Sequence, residues 1–227
     1  LNMIVQMLQQ VPIFQGLSEE ELLALAPLFT EKKCKKGSIL FLEGDPGDAF
    51  YLIKTGVVKI YRIDDSKEII LALFRDGDFF GEMSLIHEGL TRSATVETLE
   101  ATTLFLMKRS VFAQFMEGSP KLCLKLLEAT MQRLRKANEQ IYDLTFLGVR
   151  SRILKIVTRL SDQYGVATAE GILIDVKLTH QQIANMVGTV RESVTKVLLE
   201  LQEEDIIEVR QKRIILKNPE SLQNEMK

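Results

Sequence analysis

Residues 179–199 read THQQIANMVGTVRESVTKVLL, and this stretch decides the fold of the C-terminal part of the chain. Ala184 stands four residues before Gly188, and Val194 and Val197 follow at core spacing. Two helices that cross steeply need a small residue at their closest approach, and the turn between them needs a residue that accepts positive φ. Ala184 and Gly188 suit those two places. Ile183, Val187, Val194, Val197 and Leu198 then form the apolar side of a helix-turn-helix with helices over Thr179–Met186 and Val190–Glu203. Arg191, Glu192, Thr195 and Lys196 remain exposed on the second helix, and the pairs Arg191/Thr195 and Glu192/Lys196 share a face that can enter a major groove. Arg191 and Lys196 can donate to guanine edges or phosphates, and Glu192 can accept from a cytosine amino group. Thr179 and Gln181 are placed to meet phosphates beside the amides that open the first helix. The competing reading is a helical hairpin with a solvated charged face, in which Glu192 and Lys196 pair with each other.

The flanks agree with a winged helix-turn-helix. Strands over Ile206–Val209 and Arg213–Leu216 surround a turn of Arg210, Gln211 and Lys212, so Arg210, Lys212 and Arg213 make a basic hairpin. Upstream lie an amphipathic helix over Arg152–Leu160, a loop over Gly165–Gly171 and a short strand over Ile172–Val176. The net charge of −2 argues against a uniformly basic nucleic-acid binder, so contact with double-stranded DNA must come from a local patch. Residues 149–217 hold 11 Lys and Arg against 9 Asp and Glu, while the rest of the chain holds 18 against 22.

The N-terminal part has a different texture. Seven of the thirteen glycines fall between Gly37 and Gly89 and punctuate runs over Ile39–Leu42, Phe50–Ile53, Val57–Ile63 and Ile69–Phe74, with a further run at Thr102–Met107. Short strands so spaced predict an antiparallel β-roll. A helix over Ser18–Leu28 precedes it, with Ser18 and Glu21 as a capping box and Pro27 marking its end. From Val111 to Leu147 the turn residues vanish after Gly118, Ser119 and Pro120. A seven-residue spacing then appears, in Leu127, Leu134 and Ile141 and again in Thr130, Ala137 and Leu144. Such a stripe either packs on its own roll or pairs with a second copy, and the alternation of large and small residues on a long interdomain helix favours a parallel homodimer. The class is α+β, with an effector-binding roll over 1–110, a dimerisation helix over 111–147 and a DNA-binding domain over 148–227.

Within the roll, residues 80–96 read FGEMSLIHEGLTRSATV. Amides opening the turn Met83–Ile86 offer donors to an anion, Arg92 can make a bidentate pair with a phosphodiester, and Ser93 adds a hydroxyl. Glu82 can accept from a ribose hydroxyl. The competing reading is a loop held closed by an Arg92–Glu82 pair. The ordered set Gly81, Glu82, Met83, Ser84 and Arg92, Ser93, Ala94 resembles the phosphate-binding cassette of cyclic-nucleotide-binding domains. With the helix-turn-helix, the chain resembles the cyclic-AMP receptor protein/FNR family of bacterial transcription regulators over nearly its whole length.

That resemblance implies a cytoplasmic, effector-gated regulator that binds a pseudo-palindromic DNA site as a homodimer and meets RNA polymerase, with cyclic AMP or another cyclic nucleotide as effector. It also exposes departures. Ala137 and Asn138 stand where the family reads adenine partly with hydroxyl residues; Asn138 can supply one contact and Ala137 none. Arg191 and Glu192 match the family's base-reading pair, but Lys196 replaces an arginine and forfeits its bidentate fork. An effector bridging Glu82, Arg92 and Ser93 to Asn138 would favour one register of the Leu127/Leu134/Ile141 seam.

The alternative effector is a small carboxylate such as 2-oxoglutarate, held by Arg92 and the same amides, or no nucleotide at all. Two isolated cysteines, Cys34 and Cys123, are too few for a four-thiolate iron–sulfur cluster, and His87 and His180 are the only histidines. No metal is expected. No nucleophile–base pairing or Walker-type loop points to an enzyme. No run approaches eighteen apolar residues, and Leu1–Gln10 lacks the features of a secretory signal, so no membrane partner is expected.

Overall fold

The computed structural model describes residues 2–219 and residue 222; Leu1 and the last residues of the expected 148–227 domain lie outside the described residues. The chain divides into two compact units, Leu1–Arg135 and Lys136–Lys227.

The first unit opens with α1 (Asn2–Gln10), a 3-10 turn at Pro12–Phe14, and α2 (Glu19–Leu25), which runs into a second 3-10 turn at Ala26–Leu28. The Ser18/Glu21 capping box forms, the Ser18 hydroxyl accepting from the Glu21 amide and the Glu21 carboxylate from the Ser18 amide. The expected helix to Leu28 tightens at its end because Pro27 cannot donate to an α-helical ladder. Eight strands follow: β1 (Thr30–Cys34), β2 (Ile39–Phe41), β3 (Ala49–Thr55), β4 (Val58–Asp64), β5 (Lys67–Phe74), β6 (Phe79–Phe80), β7 (Thr95–Thr98) and β8 (Thr102–Lys108). They make two antiparallel sheets, in the orders β1-β8-β3-β6 and β2-β7-β4-β5. β1, β6 and β7 were not legible as strands. β1 is an edge strand with only Cys34 buried, β6 has two residues, and β7, Thr-Val-Glu-Thr, carries a single aliphatic residue.

Strand β3 separates the two cores. Phe50 and Leu52 face the helices, with Leu8, Phe14, Leu22, Met107 and Phe112. Tyr51 and Ile53 face the other sheet, with Val58, Phe80, Val96 and Leu104. A strand buried on both faces carries a continuous apolar run, which is why Phe50–Ile53 reads without alternation.

The helical stretch expected from Val111 to Leu147 is two helices, α3 (Arg109–Gly118) and α4 (Pro120–Phe146), broken at Ser119. Pro120 opens α4, where its missing N–H costs nothing. α4 settles which stripe packs on the roll: Leu122 and Leu126 enter the helix-facing core, whereas Leu127, Leu134 and Ile141 stay 53%, 55% and 63% exposed.

The second unit contains the end of α4, then α5 (Val149–Tyr164), β9 (Gly165–Thr168), β10 (Gly171–Ile174), α6 (His180–Val187), α7 (Arg191–Glu203), β11 (Ile207–Arg210) and β12 (Arg213–Leu216). Its sheet has the order β11-β12-β10-β9. The loop expected over Gly165–Gly171 is corrected: β9 pairs antiparallel with β10, leaving only Ala169 and Glu170 as the turn. All four β9 residues are exposed, so no apolar alternation announces the strand. Burial of Leu126 carries a prediction. Leu126→Ala should destabilise the first unit by about 2–5 kcal/mol, the range for a leucine truncated in a core, as measured by urea unfolding.

Candidate effector loop and nucleic-acid interface

Gly81 sits in the left-handed region at φ 86° and opens a 3-10 turn over Glu82–Ser84. A Cβ there would lie 2.8 Å from Arg92 Nη1, so both backbone and space require glycine. Arg92 is 2% exposed, and its guanidinium points inward. Nη1 donates to Gly81 O at 2.8 Å and to Ser84 Oγ at 2.9 Å; Nη2 donates to Asp48 Oδ1 and to Ala49 O, each at 2.9 Å. The group also lies 4.2 Å above the Phe41 ring. Burial pushes the phenol of nearby Tyr51 up, with Asp48 adding to the shift and Arg92 opposing it.

Glu82 does not pair with Arg92. Its Oε1 accepts from Arg133 Nη1 at 2.7 Å, and Arg133 also donates to Phe79 O and lies over the Phe74 and Phe79 rings. Arg133 was missed in the sequence because a lone arginine on a long helix resembles a solvated charge. The available cue was Glu82 itself, a carboxylate in an apolar loop that needs a cation. Two buried polar atoms of this loop have no hydrogen-bond partner among the described residues: Arg92 Nε and Glu82 Oε2. Ser84 and Ala94 are buried, whereas Met83 and Ser93 are exposed, the Ser93 hydroxyl 3.9 Å from the Met83 sulfur. Asn138 is exposed on α4 in the second unit.

In that unit, α6 and α7 form the helix-turn-helix. Thr179 caps α6, its hydroxyl accepting from the Gln182 amide and Gln182 Oε1 from the Thr179 amide, a capping box that the sequence reading overlooked. Ala184 is fully buried, and Gly188 takes φ 66° as expected. A Cβ at Gly188 would also lie 2.8 Å from Leu144 Cδ2, so the end of α4 packs directly on the turn. Arg152 reinforces this, reaching Leu147 O at 3.1 Å and Gly188 O at 3.4 Å. Arg150 fastens α5 to α7 through Glu200 and Glu204.

Arg191, Glu192, Thr195 and Lys196 line one open face of α7 with Leu199. Lys196 Nζ lies 4.0 Å from Glu200, so a Glu192–Lys196 pair is not what organises the face. Gln181 donates to Asn185 at 2.8 Å. At the wing, Gln211 and Lys212 both have positive φ, the conformation of a tight two-residue hairpin. Arg210 is tied to Glu170 and Glu208, and its hydrogen bond holds the Glu208 carboxyl below its usual range. Arg213 is tied to Asp175 at 3.0 Å. Lys212 has no ion pair among the described residues.

Residues 31–119 match the family model of the cyclic nucleotide-binding domain, and residues 151–225 that of the Crp-like helix-turn-helix domain. The chain is 32% identical over 193 residues to the Global nitrogen regulator of Synechococcus elongatus, covering 83% of this chain and 86% of that one. The chain belongs to the CRP/FNR family of transcription regulators. The Cyclic AMP receptor protein of Thermus thermophilus is likewise 32% identical over 197 residues, covering 86% of this chain and 88% of that one. A transcriptional regulator of the CRP/FNR family from Thermus thermophilus has a solved structure similar to this one at TM-score 0.72 and 27% identity, covering 87% of this chain and 98% of that one. Family members act in transcription regulation through a DNA-binding helix-turn-helix. Among the described residues no helix is long and apolar enough to cross a membrane, and no cluster of three or more histidine, cysteine or acidic residues is suited to a metal.

The Glu82–Arg133 pair predicts strong coupling. In a double-mutant cycle of Glu82→Gln and Arg133→Met, urea unfolding should give an interaction energy of about 1–3 kcal/mol, because each single change strands a charge beside the apolar loop.

Proposed function

We propose that this regulator is gated by a cyclic nucleotide held at Gly81–Ser84 and Arg92–Ala94, and that it reads a pseudo-palindromic DNA site as a homodimer in the cytoplasm, with RNA polymerase as its further partner. The domain limits that go with this reading are 1–110, 111–147 and 148–227. One observation carries the effector assignment: the cassette keeps a buried donor, Arg92 Nε, and a buried acceptor, Glu82 Oε2, without partners. Leaving such groups unpaired costs about 1–3 kcal/mol each. A ribose phosphate offers what both lack, an anionic oxygen for the guanidinium and a hydroxyl proton for the carboxylate. The exposed Ser93 hydroxyl and the first amides of the 3-10 turn are further donors to the phosphate.

Arg133 links this loop to α4. A ribose hydroxyl on Glu82 Oε2 would share the carboxylate with Arg133 on Oε1 and draw charge from that pair, so the ligand biases how α4 is anchored. At its other end α4 grips the helix-turn-helix through Leu144 and Gly188. The exposed Leu127, Leu134 and Ile141 support pairing of α4 with a second copy. Two half-sites one DNA turn apart are then read together only when α4 holds both recognition helices at that spacing. Arg191, Glu192, Thr195 and Lys196 would face the groove, and Thr179, Gln181 and Lys212 the phosphates.

A second reading, a small carboxylate such as 2-oxoglutarate, is favoured by Ala137, which lacks the hydroxyl of an adenine reader, and by a guanidinium that suits either anion. The chain is read as a regulator with no enzymatic activity.

Calorimetric titration of the full chain with cyclic AMP tests the effector. Saturation near one nucleotide per chain, weakened severalfold by Ser93→Ala and lost in Arg92→Ala, supports the cassette. No saturation with cyclic AMP, but saturation with 2-oxoglutarate, replaces it. The association surface is tested by Leu134→Glu, which should shift sedimentation from dimer to monomer and lower affinity for a paired site at least tenfold. For the intact protein, the logarithm of DNA affinity should fall linearly with the logarithm of salt concentration.

A further inference from the structure

The hydroxyl of Thr195 on α7 is already in use. Thr195 Oγ1 lies 3.1 Å from Arg191 O, one helical turn back, and 2.8 Å from Nδ1 of His180 on α6. A hydroxyl has one proton and two lone pairs. The Arg191 carbonyl can only accept, so the proton goes there; otherwise two acceptors would face each other at 3.1 Å. His180 then donates from Nδ1; with the other tautomer the Thr195 proton would go to the ring instead, and in both cases that proton is committed within the protein. Threonine in a helix normally divides between two rotamers, one of them with Oγ1 on the carbonyl four residues back. The bond from His180 selects that one. Thr195 therefore meets the open face it shares with Arg191, Glu192 and Lys196 without a proton to donate.

We infer that Thr195 reads DNA through its methyl group, selecting a thymine by apolar contact with the base's C5-methyl, and that His180 is the positioning residue that turns the methyl toward the groove. Side-chain methyls and the thymine methyl are natural partners in the major groove. The inference rests on α7 being the helix that reads DNA. It assigns His180 a role separate from phosphate contact, with its Nδ1 engaged in orienting a neighbour.

The experiment begins by selecting half-sites from random duplexes with the full chain, with and without cyclic AMP. Each thymine of the selected site is then replaced singly by uracil, which removes only the C5-methyl, and binding is followed by fluorescence anisotropy. At one thymine of each half-site the replacement should lower affinity roughly threefold, the worth of about one buried methyl. Thr195→Val, which keeps the shape and loses the hydroxyl, should retain that penalty. Thr195→Ser, which keeps the hydroxyl and loses the methyl, should abolish it. His180→Ala should shrink the penalty at that position and leave the other positions unchanged, a result that general destabilisation of the domain would not give. Loss of the base preference in Thr195→Val, or a uracil penalty that persists in Thr195→Ser, overturns the inference. So does a wild-type chain that selects sites but is indifferent to uracil throughout, while the DNA-reading role of α7 stands. A chain that selects no sequence at all overturns that role and the inference with it.

Discussion

A guanidinium buried inside a β-roll is the constraint around which the first unit is arranged. An unpaired charge in an apolar interior costs far more than any single packing contact returns. Arg92 is accommodated because four acceptors converge on it: a carboxylate from the segment before β3, a carbonyl at the start of that strand, and a carbonyl and hydroxyl from the 3-10 turn. The neighbouring residue choices follow. Gly81 leaves room for Nη1. Gly47 leaves room for Ser84, whose Oγ would lie 2.4 Å from a Cβ at that position. Phe41 covers the face of the group. The loop is held open as a shape by the charge at its centre, which is also the charge an anionic effector would meet.

Legibility in the sequence followed whether local chemistry or long-range pairing set the outcome. The Ser18 capping box, the positive φ of Gly188 and the burial of Ala184 were all readable, because each is determined within a few residues. The runs that became β2, β3, β4, β5 and β8 were readable because they carry apolar residues into a core. β1 and β9 were hidden, since their residues are mostly exposed and only backbone pairing to β8 and β10 makes them strands. Arg133 was hidden for a similar reason: it lies 51 residues from Glu82 in the sequence, and only the packing of α4 on the roll brings the two together. The long helix was legible as a seam, but the sequence left open whether its stripe faced the roll. The structure separates the two stripes, Leu122 and Leu126 inward and Leu127, Leu134 and Ile141 outward.

The second unit shows the same economy in its use of charge. Its 13 Lys and Arg are balanced by 13 Asp and Glu, and basic charge so balanced would make a poor DNA-binding surface if it were spread evenly. It is not spread evenly. Arg150, Lys155, Arg159, Arg210, Arg213 and Lys217 are all engaged by carboxylates, several of them fastening one element to another. Lys177, Arg191 and Lys212 have no ion pair among the described residues, and Lys196 has only a distant one. With the structural cations neutralised by carboxylates, the cations left without a close ion pair stand on α7, in the β11–β12 turn and before α6, those of α7 sharing their face with Glu192, Glu200 and Glu203. A chain with a net charge of −2 in this way keeps a few cations uncommitted at defined places.

Committed and free polar groups are likewise divided between the side chains of α7. A side chain whose polar atoms are satisfied within the protein cannot also discriminate bases by donating to them, whatever its residue type suggests. Arg191 and Glu192 have no side-chain hydrogen bond or ion pair among the described residues, whereas the proton of Thr195 is committed. If α7 reads DNA, residue type marks which positions would face the groove, and the hydrogen bonds each makes within the protein decide what it could recognise there. Sequence comparison alone would place threonine among the polar readers; the carbonyl of Arg191 and the ring of His180 move it to the apolar ones.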